Sequence, residues 1–405
     1  MTRGPSPLRV TAITASAQLG GTERVLIDFA AHARENDVEL RVLSPRDGPL
    51  IASLGGFGVD AEVVPGPALL LRGSQQPSRI ASLAPALLAL PRWASALSRH
   101  RFWTEARVVY TVAFKAHMAA VLRHDRAVVW HLHEFPPVAT GALWKFLAGA
   151  SPDALIANSG AVAAAWGRPE GGGGKITTVP NGVDLARFRP GPRTGWIHDR
   201  LGVPRAHRLI GMPAVFAKWK GQLEVLRAFA EIHREFPAVH LVFVGGSIYD
   251  TVAERTYGEE LAASLQQAFP DPRAPASLLP FQPNVELAYP EFDLSLHYSL
   301  RPEPFGRVIL ESMACGVPVI AAAEGGPLEI MSAAGEGGAT PEGWLAPPRD
   351  ASALAATLRR ALSCSSEALA VRGIAARTRA ELRFSAPEFA RGVAGALARV
   401  ARERR

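Results

Sequence analysis

At 405 residues the chain is longer than one hydrophobic core usually supports, so two domains with a cleft between them are expected. With 48% apolar and 20% charged residues it can bury ordinary cores, which excludes a disordered chain, and two cysteines exclude a disulfide framework. The formal charge is +7, and the first 190 residues carry most of it, with 20 Lys and Arg against 14 Asp and Glu; the aromatics are not interleaved with the basic residues as a nucleic-acid stacking platform requires.

Short β-branched runs alternate with longer helical patterns from the start: 8–14 (LRVTAIT), 38–43, 61–65, 106–112, 127–133 (AVVWHLH) and 154–159. That alternation predicts parallel sheets covered by helices. The apolar and basic segment 68–101 is expected to be a packed helical insertion, with contact to a membrane or an acceptor as the alternative. Around 180–206 the chain turns rich in Pro, Gly and Arg, which places the linker there. A second series of strands is predicted at 208–216, 240–246, 277–281, 294–298 and 318–323, with a helix over 221–236 and a terminal amphipathic helix over 386–405. The expected fold is therefore α/β with two doubly wound Rossmann-like domains. Residues 1–190 form the first, 191–383 the second, and 384–405 a C-terminal helix that crosses back to the first.

Cys315 and Cys364 are badly spaced for zinc, the opening residues lack a secretory pattern, and no apolar run reaches the ~18 residues a bilayer span needs. A cytoplasmic chain is expected, and the basic first half leaves peripheral contact with the inner face of a membrane open.

The densest chemical signal is RPEPFGRVILESMACGVPVIA over 301–321. Gly306 precedes a helix-forming run and Gly316 sits where that helix should end, so Phe305, Gly306, Arg307 and Val308 are expected at a helix N-terminus suited to a diphosphate. Glu303 lies just before the helix and Glu311 inside it, at two depths of one ligand path. Two glutamates at this spacing are also common on plain solvated helix faces.

The surrounding string decides between those readings. EPFGRVILESMACGVPVIAAAEGGPLEI resembles the donor-site signature of glycosyltransferase family four, the retaining group with the GT-B fold. GGTERVLIDFAAHA (20–33) resembles that family's glycine loop, VPNGVDLARFRP (179–190) its interdomain strand, and KGQLEVLRAFAEI, LVFVGG and GWLAPPRDASALAATL continue the likeness to about residue 363.

The resemblance implies a nucleotide-diphosphate sugar as donor, UDP- or GDP-linked, a hydroxyl acceptor in a glycan, lipid-linked sugar or small metabolite, and no cofactor. It places Glu303 on the donor sugar, Glu311 on the ribose, the Phe305 and Gly306 amides on the sugar, the Arg307 and Val308 amides on phosphate, and Lys220 as the phosphate cation. Gly21 would let the acceptor-side backbone approach the diphosphate. Backbone near Gly245, Gly246, Phe281 and Gln282 would meet the base. His131 and His133 are expected to part to opposite faces of their strand, so that only one of them, His133, enters the cleft near the sugar.

Aligned on the family's GMVARLSPWKG, the segment GMPAVFAKWKG puts Val215 where a second phosphate cation is expected, and Lys218 is the expected substitute. No Asp-x-Asp triplet occurs, so leaving-group charge would be met by Lys220 and helix amides without a metal. Two alternatives remain at this point: a catalytically impaired scaffold of the same fold, suggested by Val215, and a nucleotide-sugar epimerase. A nicotinamide dehydrogenase is excluded because QLGGTERV does not supply the Gly-x-Gly-x-x-Gly turn.

Overall fold

A computed structural model describes residues 6–67, 84–121, 125–167, 175–246, 252–271 and 273–404. The chain divides into two compact units, Met1–Gly182 with Ala386–Arg405, and Val183–Ser385. The first 16 residues of the 68–101 insertion lie outside the described residues. Beyond them Ala84–Arg99 is a helix that buries Leu90, Trp93 and Leu97.

Among the described residues, the strands of the first unit are β1 (Leu8–Ile13), β2 (Val38–Ser44), β3 (Asp60–Val63), β4 (Val108–Thr111), β5 (Ala127–Leu132), β6 (Ala154–Ala157) and β7 (Ile176–Thr178). They pair in parallel in the order β3-β2-β1-β4-β5-β6-β7. The second unit contains β8 (Arg208–Pro213), β9 (Val239–Gly245), β10 (Ala276–Pro280), β11 (Leu294–His297), β12 (Val319–Ala322), β13 (Ala339–Thr340) and β14 (Gly343–Ala346). Their order is β10-β9-β8-β11-β12-β14-β13, with only the short β13 antiparallel. Strands β7, β13 and β14 are additional to those predicted.

Both orders place the first strand of each unit beside a strand reached only after the chain has reversed direction across the sheet. Ligand sites of doubly wound sheets form at that reversal, beyond the carboxyl ends of the two strands. In the first unit these strands are β1 and β4, in the second β8 and β11. Burial on both faces explains the continuous apolar runs: every residue of β9, VHLVFVG, is buried.

The terminal helix Ala386–Glu403 belongs to the first unit, where it packs on the Gly21–His32 helix. Phe389, Val393, Leu397 and Val400 recur at helical spacing and join Val25, Phe29 and Tyr110 in one core cluster. Leu397 is wholly buried there. Replacing it with alanine removes apolar contact and leaves a cavity, and is expected to destabilise the first unit by about 2–5 kcal/mol. Differential scanning calorimetry checks this as a lowered melting temperature of that unit's transition.

Candidate active site

In the second unit the chain leaves β11 at His297, passes Ser299 and Glu303, and enters the helix Arg307–Ala314 through Gly306. Gly306 has φ of 109°, which disfavours any side chain, and a Cβ there would also lie 2.9 Å from Ile309. The turn aims the first amides of the helix, at Arg307 and Val308, toward the carboxyl edge of the sheet, and Phe305 is buried beside Phe384. The loop carrying Glu303 is itself clamped. The Gly326 amide donates to the Glu303 carbonyl at 2.8 Å, and a Cβ on Gly325 would stand 2.3 Å from that same oxygen. The two glycines of AEGGPLEI therefore set the position of the glutamate's backbone.

Glu303 is almost fully buried, and three groups converge on one of its oxygens. Lys220 Nζ donates to Oε2 at 2.9 Å, Ser299 Oγ donates to it at 2.8 Å, and His297 Nε2 lies 3.1 Å away. Burial pushes the carboxyl up, but the Lys220 ammonium and His297 outweigh it and hold the group well below the ordinary carboxylate range. The carboxylate is thus charged at neutral pH, with Oε1 turned away from these three partners. Lys220 arrives from the other side of the switch point. It ends the short turn Lys218–Lys220 after β8, with its ammonium 4.0 Å from the centre of the Trp219 ring.

Lys218 does not join this group. Its ammonium is 3.2 Å from Glu260 and its side chain is 75% exposed, so Lys220 is the ammonium that reaches Glu303. The reason lies in the turn: positions two apart on one turn of such a tight helix project in different directions. Val215 supplies its carbonyl to the Gln222 side chain.

Glu311 is also buried. Tyr289 donates its hydroxyl to Oε2 at 2.9 Å, and Arg307 Nε lies 3.9 Å from Oε1. At the carboxyl ends of β9 and β10, Gly245 pairs with Pro280, and a Cβ on Gly246 would come within 3.6 Å of Phe281. Phe281 is half-exposed, and Gln282 Nε2 donates to the Pro280 carbonyl at 2.6 Å. Gly245 has a packing reason of its own, since a Cβ would stand 1.9 Å from the Ala214 carbonyl oxygen.

Residues 19–187 match the model of Glycosyltransferase Family 4, and residues 197–379 that of Glycosyl transferases group 1. A D-inositol 3-phosphate glycosyltransferase of Kineococcus radiotolerans is 27% identical over 390 residues, covering 88% of this chain and 86% of that protein. The same-named protein of Segniliparus rotundus is 29% identical over 309 residues, 72% of this chain, and the match spans just under two thirds of that relative, 65%. A crystal structure of Anabaena HepE in complex with UDP superposes with a TM-score of 0.78 at 25% identity, covering 97% of this chain and 100% of that one. The chain belongs to glycosyltransferase family four. Its fold is GT-B, also shared with a sucrose-phosphate synthase of Thermosynechococcus elongatus at a TM-score of 0.76.

In the first unit of this glycosyltransferase, the Gly21–His32 helix starts from Gly20 just beyond β1. A Cβ on Gly21 would meet nothing within 4 Å, so packing inside the unit does not demand glycine there. His131 and His133 do not part to opposite faces. Positions two apart on a strand share a face, and their rings lie 4.0 Å apart between centroids. Depth separates them instead: His131 is wholly buried against the Tyr110 hydroxyl, whereas His133 is partly exposed and lines a pocket with Thr22, Phe114, His117 and Trp166. Burial first, and neighbouring His133 second, pushes the His117 pKa down to about 3 and that of His131 well below its usual value, so both stay neutral.

Sequence reasoning passed over His297, Ser299 and Tyr289, none of which carries a local signal, and Glu23. Glu23 had one: it stands three residues after Gly20, where a glutamate can reach back to the cap amide. Burial is the main reason its pKa is pushed up to about 7, with Glu134 adding to it. The folded enzyme thus keeps a proton on Glu23 that the unfolded chain releases near 4.5, so this group costs stability progressively as pH rises from about 4.5 to 7. Glu23→Gln is expected to raise the melting temperature at pH 8 by several degrees and to leave it nearly unchanged at pH 4, as thermal denaturation at the two pH values will check.

Proposed function

We propose that this glycosyltransferase moves a sugar from a UDP-sugar to an acceptor hydroxyl with retention of anomeric configuration and without a metal ion. The observation that carries this reading is the position of Lys220 in contact with Glu303 at the mouth of the Gly306 helix. An ammonium has three N–H donors, and Glu303 engages one, which leaves Lys220 able to meet a diphosphate while it orients the carboxylate. The amides of Arg307 and Val308 add fixed partial positive charge at the same place. Together they stabilise the leaving nucleotide's charge, the role a divalent ion plays elsewhere.

Glu303 presents its unclamped oxygen to the donor sugar, with Phe305 and Gly306 amides beside it, and Glu311 accepts from the ribose. The acceptor oxygen attacks the anomeric carbon on the face the nucleotide leaves; the bond from that carbon to phosphate breaks, and the departing phosphate oxygen takes the acceptor's proton. UDP as the nucleotide is supported by the complexes of HepE with UDP and with UDP and glucose. The exposed Phe281 ring and the backbone at Gly245, Gly246 and Gln282 form the base site.

The first unit takes the acceptor. His133, alone of its pair in reach of solvent, contacts the reacting sugar, and Gly21 gives a ligand close access to backbone. Exposed Val138, Leu143 and Phe146 around Lys145 support peripheral contact of this unit with an anionic lipid surface. Co-sedimentation with phosphatidylglycerol vesicles checks it: Phe146→Asp should reduce the bound fraction at least threefold, and an unchanged fraction excludes this surface.

Donor turnover divides the roles. Glu303→Gln is expected to lower kcat for UDP-sugar hydrolysis or transfer by about 10²–10³ while UDP still binds, the scale of losing one group that acts on transition-state charge. Glu311→Ala should weaken UDP about tenfold, the equivalent of one charge-assisted hydrogen bond. Lys220→Ala should impair both binding and turnover, whereas Lys218→Ala changes neither by more than about twofold, because an exposed pair contributes little. Turnover should persist in excess EDTA. Calorimetric titration of UDP and a product assay read these outcomes, and equal loss of UDP binding in Glu303→Gln and Glu311→Ala would refute the division.

A further inference from the structure

Glu311 has a buried partner that nothing so far uses. Tyr289 sits in a short turn, Tyr289–Glu291, just before β11, with its ring wholly buried between Phe188 and Phe292 at centroid distances of 6.0 and 6.4 Å. Its hydroxyl donates to Glu311 Oε2 at 2.9 Å and lies 3.4 Å from the Val308 carbonyl. Burial first, and then the Glu311 carboxylate, keeps the phenol protonated far above its usual range, so it is a donor at every working pH.

We infer that Tyr289 is a positioning residue for nucleotide recognition: by holding Oε2 it turns the other oxygen of Glu311 toward the ribose and sets the preference for a nucleotide that carries both ribose hydroxyls. This rests on the assignment of Glu311 to the ribose made above.

The chemistry is restrictive. A carboxylate only accepts hydrogen bonds, so whatever meets it must donate, and on a nucleoside diphosphate the vicinal ribose hydroxyls are donors of the right kind. A carboxylate on a free side chain samples several rotamers and torsions, and fixing it on binding costs entropy. The phenol removes that freedom beforehand because its own ring is locked in an aromatic cluster. Arg307, whose Nε stands 3.9 Å from Oε1, is too distant for a hydrogen bond there and leaves that oxygen with capacity for the ligand. A site built to bond hydroxyls discriminates strongly against an analogue lacking them, since the carboxylate is then buried without its partner.

Calorimetric titration with UDP and with 2′,3′-dideoxy-UDP tests this in four proteins. The parent enzyme should bind UDP at least tenfold more tightly than the dideoxy analogue. Tyr289→Phe should shrink that ratio to threefold or less by weakening UDP alone, with kcat at saturating donor changed less than threefold. Phe188→Leu loosens the same aromatic cluster but leaves the hydroxyl, and should lower the melting temperature while the ratio stays above tenfold. If Tyr289→Phe weakens both nucleotides equally, or if Phe188→Leu shrinks the ratio as much, the tyrosine acts through packing and the inference is overturned. Glu311→Ala separates the two levels: a ratio that survives this change removes Glu311 from the ribose, whereas a ratio lost with Glu311→Ala but kept with Tyr289→Phe overturns only the role of the tyrosine.

Discussion

One desolvated carboxylate organises the candidate site in the second unit of this enzyme. Moving a lone charge out of water costs several kcal/mol, and a buried glutamate without partners would take up a proton. Glu303 remains ionised because Lys220, Ser299 and His297 converge on its Oε2. These partners come from two strand ends, Lys220 after β8 and the other two from the end of β11 and the loop beyond it. The β8-β11 adjacency is created by the reversal of strand order, so the electrostatics of the site depend directly on topology.

A second constraint is steric and acts on the backbone. Charge pairing can hold a side chain only if its Cα stays put, and the loop before the helix has no secondary structure of its own to ensure that. Gly325 and Gly326 supply the restraint by approaching so closely that no side chain fits between them and Glu303 or Phe305. The clamp comes from the loop after β12, so three successive strand ends are tied together at one carboxylate. Removing either side-chain tie leaves a charge whose compensation is incomplete, whereas removing the clamp frees the backbone that carries it.

What the sequence made legible follows from how local each signal is. The alternation of β-branched runs and helical patterns is a property of neighbours along the chain, and most strands were found within a few residues. β7 escaped because ITT is three residues beside a glycine run, and β13 and β14 because the turn residues around them hide two short strands. Glu303, Gly306 and Glu311 were legible through a contiguous motif. His297, Ser299 and Tyr289 were not, because their meaning lies in contact with side chains brought near by folding, the tyrosine 22 residues from its glutamate. The error over His131 and His133 was geometric: residues two apart on a strand share a face, so burial depth and not orientation distinguishes them. Lys218 stands apart from Lys220 for a similar reason, since proximity in sequence does not fix where a flexible ammonium goes.

The two glutamates are one residue type in one motif, yet their surroundings make them different chemical tools. Glu303 is held by an ammonium, beside a histidine, so its charge is compensated at Oε2 and its field at the other oxygen is moderated. Such a group can face a sugar that becomes cationic in the transition state without being drawn into a covalent bond. Glu311 is held instead by a neutral phenol that donates one hydrogen bond, with the Arg307 guanidinium farther off, 3.9 Å from its other oxygen. Its Oε1, without a hydrogen bond from Arg307 at that distance, keeps accepting capacity for a neutral donor, which suits recognition of hydroxyl groups more than stabilisation of charge. The division of labour proposed for them would follow from partner chemistry, an ammonium in direct contact with one carboxylate and a phenol in direct contact with the other.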